Sequence, residues 1–344
     1  MLDYELATRI ITQQDLIDSG CFDVEAAISI SEGAFLRYAN GEMFVPDKIC
    51  AVFDKTSQSR INCLPAAILQ EKIYGMKWVS VFPENPEKYQ SPNLTAVIIL
   101  SELERGYPIA FMEGSMCSNL RTAAISAVAA KYLARKDSRS ISFIGAGEQA
   151  KSHFLSIKSV LPDIKICRVA SRTQASEQLF VQQMKRFYPL VQFIPCSGDY
   201  RKATASADVI VTAISGQEKI LQADWIKAGA FYCHVAGLED DFGVARKADK
   251  IVCDNWDVVK HRTQTISQMY QQGLLVDSDI YADLHEIVAG WKKGRENETD
   301  FIYFNSVGMS YVDISLALWM YKKAIAAGKG TLITMKNRSM FDIE

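Results

Sequence analysis

The sequence lacks the features that mark membrane, nucleic-acid-binding and secreted proteins. No apolar run approaches the length needed to cross a bilayer, and a formal net charge of −2 leaves no basic excess for nucleic acid. The first residues carry acids and no uninterrupted apolar core, so no signal peptide is expected. The eight cysteines include no Cys-x-x-Cys pair, and no histidine stands at ligand spacing. We therefore expect reduced core cysteines, no metal site and a cytoplasmic location, with neither membrane nor nucleic acid as a partner.

The sequence does contain an apolar segment followed directly by two closely spaced glycines, SISFIGAGEQA at residues 140–150. In a strand–turn–helix unit that binds a dinucleotide, Gly145 would make the tight turn and Gly147 would let the backbone approach the pyrophosphate. Ala150 would let the helix that begins at Glu148 pack close to the strand, with its positive end toward the phosphates. An ordinary strand–turn–helix without a ligand has the same pattern, so the neighbouring segments decide between the two.

Two further apolar segments follow at the spacing of a doubly wound sheet. They are residues 164–170, which lead into Ser171-Arg172-Thr173, and residues 207–214, which lead into Ser215-Gly216. Strands that alternate with helical segments in this way are typical of the β-α-β-α-β half of a Rossmann domain. The context therefore favours the dinucleotide-binding interpretation.

The end of the second of these strands bears on the choice of cofactor. An acidic residue there would bind the ribose 2′-hydroxyl of NAD, whereas an arginine accommodates the 2′-phosphate of NADP. Here Arg172 lies between two hydroxyl residues, and the first carboxylate after it is Glu177. A guanidinium can hold a phosphate by two parallel hydrogen bonds, and Ser171 and Thr173 can add neutral donors. We therefore expect NADP(H) to be preferred, with NAD(H) as the alternative cofactor; a solvated Arg172 at a helix start is the competing interpretation.

The segments on either side of this nucleotide-binding half predict a second domain. Before it come a helical segment at 24–38, strand-like segments at 48–53, 60–67, 74–82, 95–100 and 109–112, and an alanine-rich helix at 116–134. Successive strands with short polar turns favour an antiparallel or mixed sheet. A final helix at 312–327 is expected to return to this sheet. The predicted fold is α/β, with a Rossmann doubly wound domain at 117–308 inserted in a discontinuous α+β domain of residues 1–116 plus 309–344.

Four segments spread over both predicted domains resemble one known family. They are YGMKWVSVFPENP, AVIILSELERGYPIAFMEGSMCSNLRTAAISAVAAKYLARK, FIGAGEQA and FNSVGMSYVDIS. On these segments the chain is identified as a member of the ornithine cyclodeaminase and mu-crystallin family of nicotinamide-dependent enzymes. Shorter pieces, SRINCLP, NPEKYQSPNLTAVIIL and ARKADKIVCDNW, are similar to a branch of that family that serves siderophore biosynthesis. That branch oxidises N-(2-amino-2-carboxyethyl)-glutamate and releases 2-oxoglutarate and 2,3-diaminopropionate.

The resemblance implies a set of substrate-binding cations. Lys77 and Arg121 match a family lysine and a family arginine that bind the substrate carboxylate, and an arginine fixes its orientation by two parallel hydrogen bonds. Where many members have a further arginine, this chain has Asn62. Arg60 lies on the same face of the predicted strand and can serve in its place, and Lys48 is another candidate. A snorkelling lysine and a helix-face arginine are the competing interpretations of Lys77 and Arg121. The displaced arginine fits a longer, multiply charged substrate.

The resemblance also implies a catalytic carboxylate and the remaining cofactor contacts. Family members have an aspartate two residues after a glycine that follows the strand at 231–236; Glu239 falls on that position, with Asp240 as the reserve. Such a carboxylate would exchange a proton with the substrate amine or activate the water that attacks the imine, and Lys77 is the third catalytic candidate. A solvated acidic turn is the competing interpretation, and His234 is expected to be a satisfied core residue. The predicted cofactor-binding residues are Gly145, Gly147, Glu148, Gln149, Ala150, Ser171, Arg172, Thr173, Ala213, Ser215, Ser306 and Gly308.

The activity that the resemblance implies is oxidation of the C–N bond of an N-substituted amino acid, followed by imine hydrolysis to a 2-oxo acid and a primary amine. Three alternatives stay open: ornithine cyclodeamination, ketimine reduction or alanine dehydrogenation, and an NADPH-binding, crystallin-like protein without catalysis. The resemblance also implies a homodimer built through the N-terminal domain, which would bind substrate as well. The other expected partner is a small molecule derived from an amino acid.

Overall fold

The structure, a computed structural model, describes residues 6–54 and 56–338. It divides into two compact units. The first contains the residues up to Ile30, Asn40–Arg121 and the residues from Met309 onward, and the second contains Ser31–Ala39 and Thr122–Gly308. Within the described ranges, no helix combines the length and the apolar composition that crossing a membrane requires.

The described residues form sixteen strands and twelve α-helices. In chain order the strands are β1 (Leu6–Ile11), β2 (Met43–Phe44), β3 (Ile49–Asp54), β4 (Ser59–Ile68), β5 (Ile73–Val81), β6 (Leu94–Glu102), β7 (Pro108–Glu113), β8 (Ser140–Ile144), β9 (Ile166–Ala170), β10 (Gln192–Pro195), β11 (Val209–Thr212), β12 (Phe231–His234), β13 (Lys250–Cys253), β14 (Ile280–Asp283), β15 (Ile302–Asn305) and β16 (Thr331–Lys336). The helices are α1 (Gln13–Asp18), α2 (Val24–Ala39), α3 (Asn85–Tyr89), α4 (Ser115–Leu133), α5 (Glu148–Val160), α6 (Gln174–Phe187), α7 (Tyr200–Thr204), α8 (Phe242–Lys247), α9 (Trp256–Val259), α10 (Thr265–Gln271), α11 (Leu284–Val288) and α12 (Ser310–Ala326).

The first unit is built on a mixed sheet with the order β16-β1-β7-β6-β5-β4-β2, and β3 pairs with β4. β1 and β7 are parallel, and the other pairs are antiparallel, which confirms the predicted mixed sheet. The C-terminal helix α12 packs on one face, because a Cβ atom on Gly75 would lie 2.7 Å from Cδ1 of Ile314. Since alternate residues of a strand share a face, Lys77 lies on the side that α12 covers.

The opposite face of this sheet carries exposed apolar side chains. Trp78 on β5 is 43% exposed and Phe111 on β7 is 39% exposed. Every residue of β3 is exposed, including Ile49, which pairs with Cys63 opposite Trp78. The expectation that the cysteines are core residues is wrong for Cys50, which is exposed on β3, because this strand packs on the sheet through its edge only. The first unit therefore has one covered face and one apolar face open to solvent.

The second unit is a parallel sheet with the order β10-β9-β8-β11-β12-β15-β13-β14. The first five strands follow the 3-2-1-4-5 order of a doubly wound sheet, so the direction of winding switches between β8 and β11. Phe143, Phe154, Phe180 and Phe193 pack α5 and α6 onto this sheet, with ring centroids 5.0–6.4 Å apart. The predicted Rossmann fold is confirmed. Ligands of such sheets bind at the switch point, outside the carboxyl ends of the strands.

Candidate active site

The glycine turn between β8 and α5 lies at this switch point. Gly145 has a φ of +105°, and a Cβ atom there would lie 2.4 Å from the carbonyl oxygen of Ala213, at the end of β11. Only glycine fits such a position. At Gly147 no atom lies within 4 Å of the place where a Cβ would stand, and the residue is exposed at the N-terminus of α5 beside Glu148. Ala150 is completely buried against the sheet. The turn thus offers open space and a helix N-terminus, which fit a pyrophosphate.

The end of β9 presents Arg172 to solvent, while its neighbours serve the local fold. The Ser171 hydroxyl donates to the carbonyl oxygen of Thr173 at 3.0 Å. The Thr173 hydroxyl caps α6 by accepting from the backbone N–H of Ser176. The predicted role of these two hydroxyls as phosphate donors therefore competes with hydrogen bonds that they already make. Arg172 remains an exposed cation at the strand end where a nucleotide ribose binds in Rossmann folds.

Glu177, the first carboxylate after Arg172, is completely buried and faces the backbone. Its Oε1 accepts from the N–H groups of Ser171 at 2.9 Å and Gly198 at 2.8 Å, and its Oε2 accepts from Ser197 at 2.7 Å. The carboxylate therefore joins the end of β9 to the turn after β10. A carboxylate with three backbone donors is engaged in the fold, in contrast to one that faces a ribose.

The loop after β15 holds two predicted cofactor residues and is fixed by an aspartate that the sequence analysis missed. Asp254, directly after β13, accepts at Oδ2 from the Ser306 hydroxyl at 3.1 Å and from the N–H groups of Val307 at 2.8 Å and Gly308 at 2.6 Å. Gly308 has a φ of +81°. After β11, Ala213 is half-buried and Ser215 is exposed. These positions all lie at carboxyl ends of parallel strands.

Glu239 is completely buried and binds two of these strand ends together. Its Oε1 accepts from the N–H of Ile214 at 2.8 Å, and its Oε2 accepts from the Thr212 hydroxyl at 2.8 Å. Oε2 also accepts from the N–H groups of Val235 at 3.3 Å and Ala236 at 3.0 Å. Burial raises the pKa of Glu239, although the hydrogen bond from Ile214 opposes this shift. Four donors give this carboxylate an anchoring position between the loops after β11 and β12.

Asp240 is also completely buried in the second unit, among aromatic and hydroxyl side chains. Its Oδ1 accepts from the hydroxyls of Thr265 at 2.6 Å and Tyr303 at 3.3 Å, and lies 3.3 Å from Nε2 of His234. Burial raises the pKa of Asp240 to about 8 and lowers that of His234 to about 3. Burial therefore disfavours the charged forms of both Asp240 and His234. Asn305, the partner of His234 in the next strand, has no hydrogen-bond partner for its amide in the part of the chain that the structure describes.

The first unit contains a separate cluster of charges under α12. Lys77 is completely buried, and its Nζ lies 2.6 Å from Oδ1 of Asp313 and 3.3 Å from the hydroxyl of Ser118. Nε of Arg121 lies 2.8 Å from the same Asp313 oxygen. Burial, and then the positive charge of Arg121, lower the pKa of Lys77 to about 8. The structure thus brings Lys77 and Arg121 together, with two cations sharing the Asp313 carboxylate.

Arg60 and Asn62 share the strand face of Lys77 but lie further along it. Leu64 pairs with Lys77, Asn62 with Val79 and Arg60 with Val81. Arg60 is therefore four residues from the partner of Lys77, or roughly 13 Å along the strand. Its Nη1 donates to the carbonyl oxygen of Gln58 at 2.8 Å. The remaining candidate, Lys48, is half-buried just before β3.

Asp313 is the residue of this cluster that the sequence analysis missed. It lies on α12 and is separated from Lys77 by 236 positions in the sequence. The available signal was a single acid within a mainly apolar segment of α12, SYVDISLALWM. Charged side chains are rarely buried unless they are paired, so such an acid indicates a buried partner.

Known proteins resemble this chain in sequence and in fold. The family model described as ornithine cyclodeaminase/mu-crystallin matches residues 9–328, which confirms the resemblance seen in the sequence. The N-((2S)-2-amino-2-carboxyethyl)-L-glutamate dehydrogenase of Staphylococcus aureus is 31% identical over 277 residues, which cover 80% of this chain and 82% of the relative.

Two solved structures share the whole fold. A Δ1-pyrroline-2-carboxylate reductase of Thermococcus litoralis, in complex with NADH and L-proline, matches with a TM-score of 0.89 and 31% identity over 94% of this chain and 99% of that chain. An archaeal alanine dehydrogenase dimer with bound NAD matches with a TM-score of 0.87 and 29% identity over 96% of this chain and 100% of that chain.

Proposed function

This chain belongs to the ornithine cyclodeaminase/mu-crystallin family, and on that premise we propose that it is a nicotinamide-dependent dehydrogenase acting on C–N bonds. Its substrate is an N-substituted amino acid of the kind that N-(2-amino-2-carboxyethyl)-glutamate represents. Hydride leaves the carbon that bears nitrogen, and water then cleaves the imine to a 2-oxo acid and a primary amine. The names of the relatives, a dehydrogenase of such a substrate, a reductase of a cyclic imine and an alanine dehydrogenase, support this reaction class.

The observation that carries the proposal is the buried positive charge of the first unit. Lys77 and Arg121 share one oxygen of Asp313, so two cations face one anion. Burying an unbalanced charge is costly, and a substrate carboxylate would balance it. A carboxylate held by Lys77 and Arg121 would also orient the adjacent carbon for hydride transfer.

Proton transfer is assigned to Lys77, with Asp240 as the second candidate. A pKa of about 8 lets Lys77 exist in both protonation states near neutral pH, where a general acid or base is most effective. The four hydrogen bonds of Glu239 support an anchoring role for this residue. This differs from the proton-transfer role that its position in the family implies.

The dinucleotide-binding residues are the glycine turn, the N-terminus of α5 and the loops after β11 and β15. When bound, the nicotinamide supplies the hydride acceptor. NADP(H) is the preferred form, because Arg172 is exposed at the end of β9 and Glu177 is engaged with three backbone N–H groups. The two solved relatives carry NADH and NAD, so this preference rests on Arg172.

The enzyme is a homodimer that associates through the open face of the first unit. Trp78, Phe111 and Ile49 lie on this face, and exposed apolar patches of this kind mark association sites. The archaeal alanine dehydrogenase with the same fold is a dimer.

The deciding experiment measures the rate at which each member of a panel of substrates is oxidised, using the absorbance of the reduced nicotinamide. N-(2-amino-2-carboxyethyl)-glutamate should be oxidised with a much higher specificity constant than alanine, ornithine or proline, and should release 2-oxoglutarate. Arg60→Ala should narrow this gap by affecting only the substrate that reaches it, whereas Arg105→Ala, an exposed arginine in the turn after β6, should leave it unchanged.

A second candidate function is reduction of a cyclic imine. It is favoured by the similarity to the Thermococcus litoralis reductase, at a TM-score of 0.89. The same panel separates the two, because proline would then be the best substrate in the oxidative direction. Conversion of ornithine to proline and ammonia at the highest rate would instead support cyclodeamination.

A further inference from the structure

The two carboxylate oxygens of Asp313 have different surroundings. Oδ1 lies 2.6 Å from Lys77 Nζ and 2.8 Å from Arg121 Nε. Oδ2 is buried and has no hydrogen-bond partner within residues 6–54 and 56–338. A buried acceptor without a donor is costly, and more so when it belongs to a charged group. A ligand that brings a donor to Oδ2 therefore gains affinity.

We infer that Asp313 Oδ2 accepts a hydrogen bond from the reacting amine of the substrate. This inference rests on the proposed function, because it assigns the other end of the same amino-acid ligand. An ionised carboxylate only accepts hydrogen bonds, so the group that binds Oδ2 must be a donor. Lys77 and Arg121, on the same Asp313 carboxylate, require an anionic group on that ligand. An α-amino acid carries both groups on one carbon, so its N–H meets Oδ2 while its carboxylate meets the two cations.

This contact makes Asp313 a residue that selects for the amine. A 2-oxo acid carries the same carboxylate but no N–H donor, so it leaves Oδ2 unpaired. Sites built to hydrogen-bond a substrate group reject analogues that lack the group. The site therefore binds the amine substrate more tightly than the oxo-acid product, which favours product release.

The test uses two ligands that differ only in the amine, L-glutamate and glutarate. Each is titrated by calorimetry into the full-length protein saturated with NADPH. The wild type should bind L-glutamate roughly ten- to a hundredfold more tightly than glutarate, the range for a charge-assisted hydrogen bond. Asp313→Asn should reduce this ratio of affinities toward one by weakening the binding of L-glutamate alone. Lys77→Met should weaken both ligands by a similar factor, because both carry the carboxylate.

Equal affinities of the wild type for the two ligands overturn the inference, and that measurement needs no variant. Equal losses of affinity for L-glutamate and glutarate in Asp313→Asn also overturn the inference, because a purely structural role of Asp313 would have that result. Oxidation of the substrate panel tests the proposed function separately. If the wild type oxidises the panel but the ratio of its affinities for L-glutamate and glutarate does not depend on Asp313, the proposed function stands and the amine contact is rejected. If the wild type oxidises no member of the panel, yet binds L-glutamate more tightly than glutarate and this preference depends on Asp313, the proposed function is rejected and the contact stands.

Discussion

Replacing Glu239 by glutamine separates the anchoring role from proton transfer. The substitution keeps the size of the side chain but removes the charge and converts one oxygen into an NH2 donor. Oε1 accepts from Ile214 N–H, and Oε2 accepts from Thr212, Val235 and Ala236. Whichever end of the amide carries the NH2 group, at least one backbone N–H then faces a donor.

The expected loss of stability follows from the removal of at least one of these hydrogen bonds. One charge-assisted hydrogen bond is worth about 1.5–3 kcal/mol. A domain of 150–250 residues loses about 2–4 °C in Tm for each kcal/mol, so Glu239→Gln should lower Tm by roughly 3–12 °C. Because the loops after β11 and β12 lie at the strand ends where dinucleotides bind, affinity for NADPH should fall together with stability.

Thermal unfolding followed by circular dichroism measures the first effect, and calorimetric titration of NADPH measures the second. Glu104→Gln is the matched control, because Glu104 is exposed in the turn after β6 of the first unit and its substitution should leave both values unchanged. A Glu239→Gln protein with the wild-type Tm and the wild-type NADPH affinity, but with turnover lowered by about 10²–10⁴, would refute the anchoring role and restore proton transfer to Glu239.

Four further outcomes are expected. Gly147→Ala should fold normally, because its Cβ enters open space, yet should weaken dinucleotide binding measured by fluorescence titration. Arg172→Ala should weaken the binding of NADPH roughly ten- to a hundredfold and leave the binding of NADH nearly unchanged. Equal losses of affinity for the two cofactors would reject the phosphate contact. The folded-state pKa of Asp240 is raised above its unfolded value, so the contribution of Asp240 to stability should be lost as pH rises from about 4 to about 8, while the lowered pKa of His234 acts in the opposite direction. In urea unfolding curves recorded across this range, the stability of the wild type relative to Asp240→Asn should therefore fall as pH rises. If the proposed homodimer forms through Trp78, Trp78→Glu should sediment as a monomer in analytical ultracentrifugation, whereas Leu190→Glu, at another exposed residue, should sediment as the wild type does.

The features predicted correctly from the sequence are those that local chemistry determines. Gly145 stands in a turn whose positive φ only glycine adopts readily, so the glycine pattern alone indicates the turn. The long strands β4, β5 and β6 and the helices α2, α4 and α12 have enough apolar residues at regular spacing to be recognised. Strands β10 (QFIP) and β14 (IYAD) are not predicted, because each is a short apolar pair or triplet beside polar residues or proline, whereas β11, also four residues long, lies within the longer apolar segment 207–214.

The roles of buried acids could not be predicted in the same way, because they depend on distant partners. Glu239 binds the N–H of Ile214, which lies 25 positions earlier in the sequence, and Asp313 pairs with a lysine 236 positions earlier. Glu177 has the residue type expected near a ribose, but its contacts are with the backbone of Ser171, Ser197 and Gly198. Residue type and spacing indicate that an acid is present, whereas its burial and its donors decide what it does.

The ion pair between Lys77 and Asp313 also has a consequence for biosynthesis. The ribosome makes Lys77 early, but its partner emerges only after 236 further positions have been added. At about 5–20 residues per second, this interval lasts on the order of 10–50 s. During that time the nascent first unit lacks α12, so the face of its sheet that carries Lys77 has no covering helix. The second unit, whose residues end at Gly308, therefore finishes synthesis before Lys77 and Asp313 can pair.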